Sequence, residues 1–133
     1  MITPPCFLSL IEKISTDRIA DKAKVALLCL PNGISSTLTR SLLEKGVKVI
    51  DLSADYRYKS LDQWKSVYFN EAKKYNRDDD DLCREAVYGL PEINFKDISK
   101  ASLIACPGCY PTSALIPLIP FLSQGIIDNE GII

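Results

Sequence analysis

The residue best placed to do chemistry is Cys109, inside the stretch Ser102 to Leu122, SLIACPGCYPTSALIPLIPFL. A short apolar segment runs through a Pro-Gly turn into a cysteine that opens a predicted helix. The first turn of a helix offers unpaired backbone N–H groups and a positive dipole end, and both favour thiolate over thiol. An ordinary thiol with a pKa of ~8.5 is only about 3% thiolate at pH 7, and moving it to ~6 takes about 3.4 kcal/mol. A helix N-terminus supplies roughly 0.3–1 kcal/mol, or up to ~2 in a buried geometry. A nucleophilic Cys109 therefore also needs a cationic neighbour. The sequence contains no histidine, so that neighbour is a Lys or Arg of this chain or a group from outside it. The same absence removes a Cys–His pair, a Ser–His pair and a His-ligated metal from what these residues do alone. Structural burial is the bland alternative for any cysteine. The Pro-Gly before Cys109 and the helix after it favour the nucleophile.

Cys106 and Cys109 together spell C-P-G-C. In a reducing compartment, after a strand and before a helix, this resembles a thioredoxin-type redox motif. Two features oppose that reading. The motif follows a βαβ unit instead of lying near the first strand. Pro111, Pro117 and Pro120 also make an unusual following helix, since an interior proline costs ~3 kcal/mol unless a kink accommodates it. A zinc site is weaker still: it needs four ligands, and Cys6, Cys29 and Cys83 supply no second close pair. Five cysteines at irregular spacing argue against a disulfide framework and for a reducing, cytoplasmic setting.

The elements that must position these residues read as α/β. Val25 to Leu30 is a continuous apolar run closed by Pro31-Asn32-Gly33, the pattern of a buried parallel strand ending in a loop. Ser35 or Ser36 is the expected cap of a helix to about Lys45, with Leu38 and Leu42 on one face and Gly46 as the stop. Val47 to Asp51 is the next strand, completing a βαβ unit. Ligands of such sheets lie beyond the strand C-termini, so the Pro-Asn-Gly loop and the segment after Asp51 are expected to face one crevice. Leu61 to Phe69 is a predicted helix with Leu61, Trp64 and Tyr68 on one face and Trp64 as a core anchor. Asp78 to Asp81 read as a solvated loop or the acidic start of a helix over Leu82 to Ala86, not a calcium loop, because no glycine sits where such a loop needs one. Val87 to Glu92 is a short extended piece with a turn, Phe95 to Lys100 one helical turn, and Ser102 to Cys106 a third strand. The last helix is expected from Cys109 to about Ser123, with Gly125 past its end. Leu8, Ile11 and Ile14 share a helix face or parts of a strand, Asp17 to Lys24 is a surface helix or loop, and Gly131 to Ile133 begins another strand.

Composition bounds the partners. At 133 residues the chain fits one domain of ordinary size, and 47% hydrophobic residues make it globular. A net charge of −1 leaves no electrostatic footprint for nucleic acid or an anionic membrane. No apolar run reaches the ~18 residues of a membrane span. The opening MITPPCFLSLIEK has no basic leader, so a secretory signal is not expected.

Four ordered stretches then carry a family resemblance: Leu30 to Gly33, Val49 to Arg57, Ala86 to Glu92 and Pro107 to Thr112. Over Val25 to Ile133 the chain resembles N-acetyl-γ-glutamyl-phosphate reductase. The related aspartate-semialdehyde dehydrogenases share the chemistry but do not look like this in DLSADYR or VYGLPE. The resemblance implies a Rossmann-like, NADP(H)-using enzyme of arginine biosynthesis that is homo-oligomeric at full length. It implies a small acyl phosphate substrate and a thioester on Cys109. It divides the chain into residues 1–108, an incomplete cofactor domain, and 109–133, the beginning of the catalytic domain. Pro31 and Asn32 fall where a cofactor ribose or nicotinamide could pass. Arg57 is the candidate anion-facing, substrate-binding residue, with a salt bridge to Asp51 or Asp55 as the alternative.

Departures from the family pattern shape a further expectation. No G-x-x-G-x-x-G phosphate loop occurs, the general acid/base histidine is missing, and Cys106 stands where the family usually has asparagine. The chain therefore reads as an internal piece, inactive alone. A thiol-redox protein using Cys106 and Cys109, or a non-catalytic remnant, are the alternatives.

Overall fold

The structure is a computed structural model that describes residues 15–130. The helix-or-strand expectation at Leu8, Ile11 and Ile14, the strand at Gly131–Ile133, and Cys6 lie outside the described residues.

The chain opens with α1 (Thr16–Lys22), where a surface helix or loop was expected. Ser15 caps it by accepting the Arg18 N–H at 3.4 Å. Strand β1 (Val25–Leu28), helix α2 (Ser35–Glu44) and strand β2 (Lys48–Asp51) form the anticipated βαβ unit. Gly46, at φ +74°, turns the chain out of α2 in a conformation that favours glycine. Helices α3 (Leu61–Val67), α4 (Phe69–Ala72) and α5 (Asp80–Glu85) follow, then β3 (Val87–Tyr88), α6 (Pro91–Ile98), β4 (Leu103–Ala105) and α7 (Cys109–Ser123). The sheet order is β1-β2-β4-β3 and every pairing is parallel. Register places Leu28, Asp51, Ala105 and Tyr88 in one row across the sheet. All four strands therefore end at the same edge, and the loops after them meet there.

One face of the sheet carries the core. Ala26, Leu28, Val49, Leu103 and Ala105 are buried there with Leu42, Tyr56, Trp64, Leu82 and Cys83. Complete burial of side chains such as Leu42 and Val49 stabilises by roughly 1.5–3 kcal/mol each. Trp64 is the expected core anchor: it is fully buried, and Tyr68 stacks on it at 5.8 Å between ring centroids.

Four expectations need correction. Strand β1 is not buried on both faces: Val25 and Leu27 are exposed on the side opposite Ala26 and Leu28. No α2 residue caps its own helix; the cap comes from Asp55. The acidic run is not wholly solvated, since Asp79 and the preceding Arg77 are buried together. Helix α6 starts at Pro91, earlier than the single turn expected from Phe95. Proline is pre-organised for a first helical position, where its missing N–H has no intrahelical partner to lose. Non-helical geometry at Asn94 kinks α6, so its second half is the turn the sequence indicated.

Candidate active site

Beyond β1, residues Pro31 to Gly33 form a tight loop. The Ile34 N–H donates to the Pro31 carbonyl at 3.0 Å, and Gly33 sits at φ +86°. Beyond β2, a ladder of short polar bonds shapes Asp51 to Asp55. The Asp51 carboxylate accepts from Ser53 N–H at 3.1 Å and from Ser53 Oγ–H at 2.7 Å, and Ser53 Oγ accepts the Asp55 N–H at 3.1 Å. The two loops are stitched together in both directions. Asn32 Oδ1 accepts the Ala54 N–H at 2.9 Å. Asp55 Oδ1 accepts the Gly33 N–H at 2.6 Å, and its Oδ2 accepts the Ser36 N–H at 3.0 Å. The expected common crevice is thus a bonded unit. Asp55 has no exposed surface, and burial pushes its carboxyl above the ordinary range, against the downward pull of the Gly33 amide and Arg77.

The third contributor lies beyond β4. The Cys106 N–H donates to the Asp51 carbonyl at 2.8 Å, tying this segment to the end of β2. Arg57 then closes over it. Its Nε donates to the Cys106 carbonyl at 2.8 Å and its Nη2 to the Leu52 carbonyl at 3.0 Å. Its Nη1 lies 3.3 Å from where a Cβ on Gly108 would stand. Arg57 makes neither ion pair expected of it as an alternative. The oxygens of Asp51 are taken by Ser53, and Asp55 faces Gly33, Ser36 and Arg77.

Cys109 is exposed and is the first residue of α7, as expected. Thr112 secures the helix start by donating both its N–H, at 3.1 Å, and its hydroxyl, at 2.8 Å, to the Gly108 carbonyl. Cys106 is half-buried, and burial followed by the Asp51 charge raises its thiol pKa. The Pro-Gly segment is not a turn. Gly108 is extended at φ −71° and ψ 163°, and no turn or bend occurs from Cys106 to Gly108. A fully extended run of three steps of ~3.1 Å spans roughly 9 Å, more than the ~7 Å that a disulfide bridges. This geometry weighs against the redox-pair alternative.

One cleft of about 380 Å³ lies beside the loop, lined by Gly33, Ser36, Thr37, Arg40, Tyr75 and Arg77 among others. Cys109, Arg57, Pro31 and Asn32 do not line it. Among the described residues, no cluster of His, Cys, Asp or Glu could hold a metal ion.

Comparison with known proteins decides the family. Residues 8–101 match the family described as semialdehyde dehydrogenase, NAD binding domain. The chain belongs to that family. Pro31, Asn32 and Arg57 fall inside the matched part of this semialdehyde dehydrogenase domain; Cys106 and Cys109 follow it. Over 125 residues the chain is 90% identical to the N-acetyl-γ-glutamyl-phosphate reductase of Prochlorococcus marinus strain MIT 9515, covering 94% of this chain and 36% of that protein. It is 89% identical over 125 residues to the reductase of subspecies pastoris strain CCMP1986, again 94% and 36%. A third Prochlorococcus marinus reductase, from strain AS9601, is 76% identical over 123 residues, covering 92% and 35%. The chain spans about a third of the length of these curated relatives.

Three residues of the semialdehyde dehydrogenase domain shape the site beyond what the sequence indicated: Asp55, expected only as an alternative partner of Arg57, and Tyr75 and Arg77, not singled out at all. Tyr75 places its ring where a Cβ on Gly33 would be. Arg77 reaches the Asp55 carbonyl at 2.9 Å and pairs with Asp79. The available signals were faint: alternating Asp51, Ser53 and Asp55 after a strand, and one arginine just ahead of four aspartates.

Proposed function

We propose that this chain is part of an N-acetyl-γ-glutamyl-phosphate reductase. The reaction is the NADPH-dependent reduction of N-acetyl-L-glutamyl 5-phosphate to the 5-semialdehyde and phosphate, a step of cytoplasmic arginine biosynthesis. The observation that carries the reading is the convergence of three loops at one sheet edge: Pro31–Gly33 after β1, Leu52–Arg57 after β2 and Cys106–Cys109 after β4. Ligands of parallel sheets bind at that edge.

In this reading the Cys109 thiolate attacks the acyl carbon. The bond to the phosphate oxygen breaks, phosphate leaves, and a thioester remains on Sγ. Arg57 has Nε and Nη2 committed to carbonyls and Nη1 beside Gly108, one residue before the nucleophile. Its cationic fork is suited to the substrate phosphate. The nicotinamide cofactor, when bound, supplies the hydride that reduces the thioester carbon, which expels the thiolate and leaves the aldehyde.

The residues present fit one end of that cofactor. Pro31 is exposed at the sheet edge, Asn32 is half-buried beside it, and the loop is held rigidly from below by Asp55. These two residues would hold the nicotinamide-ribose end. The pyrophosphate has no comparable cradle at α2, because the Gly33 and Ser36 amides are already given to Asp55. The choice of NADP(H) follows the resemblance, as does a homo-oligomeric full-length state. Neither nucleic acid nor membrane is a partner in this reading; no helix among the described residues is long and apolar enough to cross a membrane.

The division into residues 1–108 for the cofactor and 109–133 for the start of a catalytic domain is supported by burial. The core draws on α1 to α5 and on β1, β2 and β4 but takes no residue from α7, which has no buried residue; α6, likewise without one, leads directly into β4. The 133 residues by themselves are read as inactive, since they contain neither a histidine nor a glycine-rich phosphate loop.

The test grafts this chain into the strain MIT 9515 relative in place of its matching segment. Phosphate-dependent NADP+ reduction with N-acetylglutamate semialdehyde is then assayed. Turnover that Cys109→Ser abolishes is the expected result. Turnover that survives Cys109→Ser overturns the reading, and turnover by the 133-residue chain alone overturns its inactivity.

A further inference from the structure

Arg77 lies in the segment between α4 and α5, far in sequence from Cys109 and Arg57. Its side chain is nonetheless among the most constrained in the domain. It is buried, with its guanidinium 4.4 Å from the Trp64 ring centroid and 5.1 Å from that of Tyr56. Nε and Nη2 donate to the two Asp79 carboxylate oxygens at 3.0 Å each. Nη1 donates to the Asp55 carbonyl at 2.9 Å and stands 3.8 Å from the Asp55 carboxylate. The Tyr56 hydroxyl donates to Asp79 at 2.7 Å, which fixes the far side of the pair.

The Asp55 carboxylate reached by Arg77 is the one that holds the Gly33 and Ser36 amides. Two residues before Arg77, the Tyr75 ring covers Gly33 from outside. The segment from Tyr75 to Asp79 therefore clamps the Pro31–Gly33 loop both at its surface and through the core. An arginine fork of this kind constrains direction as well as charge.

We propose that Arg77 is a positioning residue for the cofactor-facing loop Pro31–Gly33, acting through the buried carboxylate of Asp55. It rests on the proposed function, because that reading puts the cofactor against Pro31 and Asn32. Arg57 and Cys109 lie on the loops beyond β2 and β4 and make no bond to Arg77. A fault at Arg77 should therefore be felt by the cofactor before it is felt by the thiol.

The test uses the grafted full-length protein with Arg77→Lys, which keeps the charge but loses the fork, and Asp55→Asn, which keeps the shape. Readouts are KM for NADP+, KM for the semialdehyde, kcat, the rate of Cys109 alkylation, and Tm. The expected result is a rise of about tenfold in KM for NADP+, the scale of a slightly misplaced contact, with Cys109 alkylation and semialdehyde KM within about twofold. Should Arg77→Lys fail to fold, Asp55→Asn carries the same expectation. An unchanged KM for NADP+, or a parallel change in both KM values and the alkylation rate, overturns the role of Arg77. A parent graft without cofactor-dependent turnover instead removes the proposed function, and this proposal with it.

Discussion

Arg57 Nε donates to the Cys106 carbonyl at 2.8 Å, so a cation from the loop after β2 holds the backbone three residues ahead of Cys109. The same guanidinium reaches the Leu52 carbonyl. It thereby links the ends of two strands that already share the Cys106-to-Asp51 backbone bond. Arg57 is the one cation of DLSADYR, and against the burial and the Asp51 charge that raise the Cys106 thiol pKa, its charge pulls that pKa down.

Replacing Arg57 should separate structure from chemistry. Arg57→Ala removes two charge-assisted bonds to carbonyls and is expected to cost about 1–3 kcal/mol in urea unfolding of the 133-residue chain. In the grafted protein, Arg57→Lys is expected to lower phosphate-dependent turnover by more than tenfold, because a point charge does not reproduce the fork. Turnover of Arg57→Lys equal to the parent would remove Arg57 from the substrate side and leave it a purely structural tie.

Asp55 gives a pH prediction with a definite sign. Its folded pKa is raised, chiefly by burial. A carboxyl raised above its unfolded value of ~3.9 contributes stability that is full below that pH and is lost as pH rises through the folded midpoint. Asp55→Asn removes that loss. Over this window, stability of the variant should therefore climb more steeply with pH than that of the parent. Asp17 and Asp81 shift the opposite way, held down by hydrogen bonds from Lys45 and Arg40. Carboxyl NMR titration should place Asp55 above the ordinary aspartate range and both others below it, with the Gly33 amide shift following Asp55. An Asp55 midpoint below ~3.9 contradicts the account.

How much of this was legible from the chain depends on how local the cause is. The βαβ unit and the Cys109–Ser123 helix were readable because apolar runs, Pro-Asn-Gly, Gly46 and Gly125 act within a few residues. The cap of α2 was not readable in the same way. Ser35 and Ser36 are suitable cap residues, yet the acceptor is a carboxylate 19 residues beyond Ser36. Any N-terminal amide N–H donates to whichever buried oxygen the tertiary fold presents. The fate of the acidic run was hidden for a related reason. Four adjacent aspartates read as a solvated face, but Arg77 takes Asp79 into the core while Asp81 stays outside with Arg40. One face of β1 remained exposed because an apolar run shows that a strand wants cover without showing which described element provides it.

Gly33 should be nearly irreplaceable. Its φ of +86° disfavours any Cβ, and the Tyr75 ring occupies the space a Cβ would need. Gly33→Ala is expected to destabilise the chain by about 2–4 kcal/mol, combining left-handed backbone strain with the clash. Tyr75→Ala in the same molecule relieves the clash but not the strain, so the double variant should recover part of the loss. A double-mutant cycle in urea measures that recovery. A coupling of zero would mean that Tyr75 does not cover the loop in solution.

The cysteines should react in an order set by exposure and burial. Cys29 and Cys109 are exposed, Cys106 is half-buried, and Cys83 is fully buried with its thiol pushed up to about 11, mainly by desolvation. Because thiolate is the reactive form, iodoacetamide at neutral pH should modify Cys29 and Cys109 first, Cys106 more slowly, and Cys83 only on unfolding. The extended Cys106–Gly108 segment adds a second expectation. Oxidised glutathione should form mixed disulfides at exposed thiols but no Cys106–Cys109 bridge in the folded chain, because no turn or bend at Cys106–Gly108 draws the two residues together. Peptide mass mapping after each reagent reads both outcomes. A folded chain that is two hydrogens lighter, with the loss mapped to Cys106 and Cys109, would restore the thiol-redox reading and demand that the segment bend.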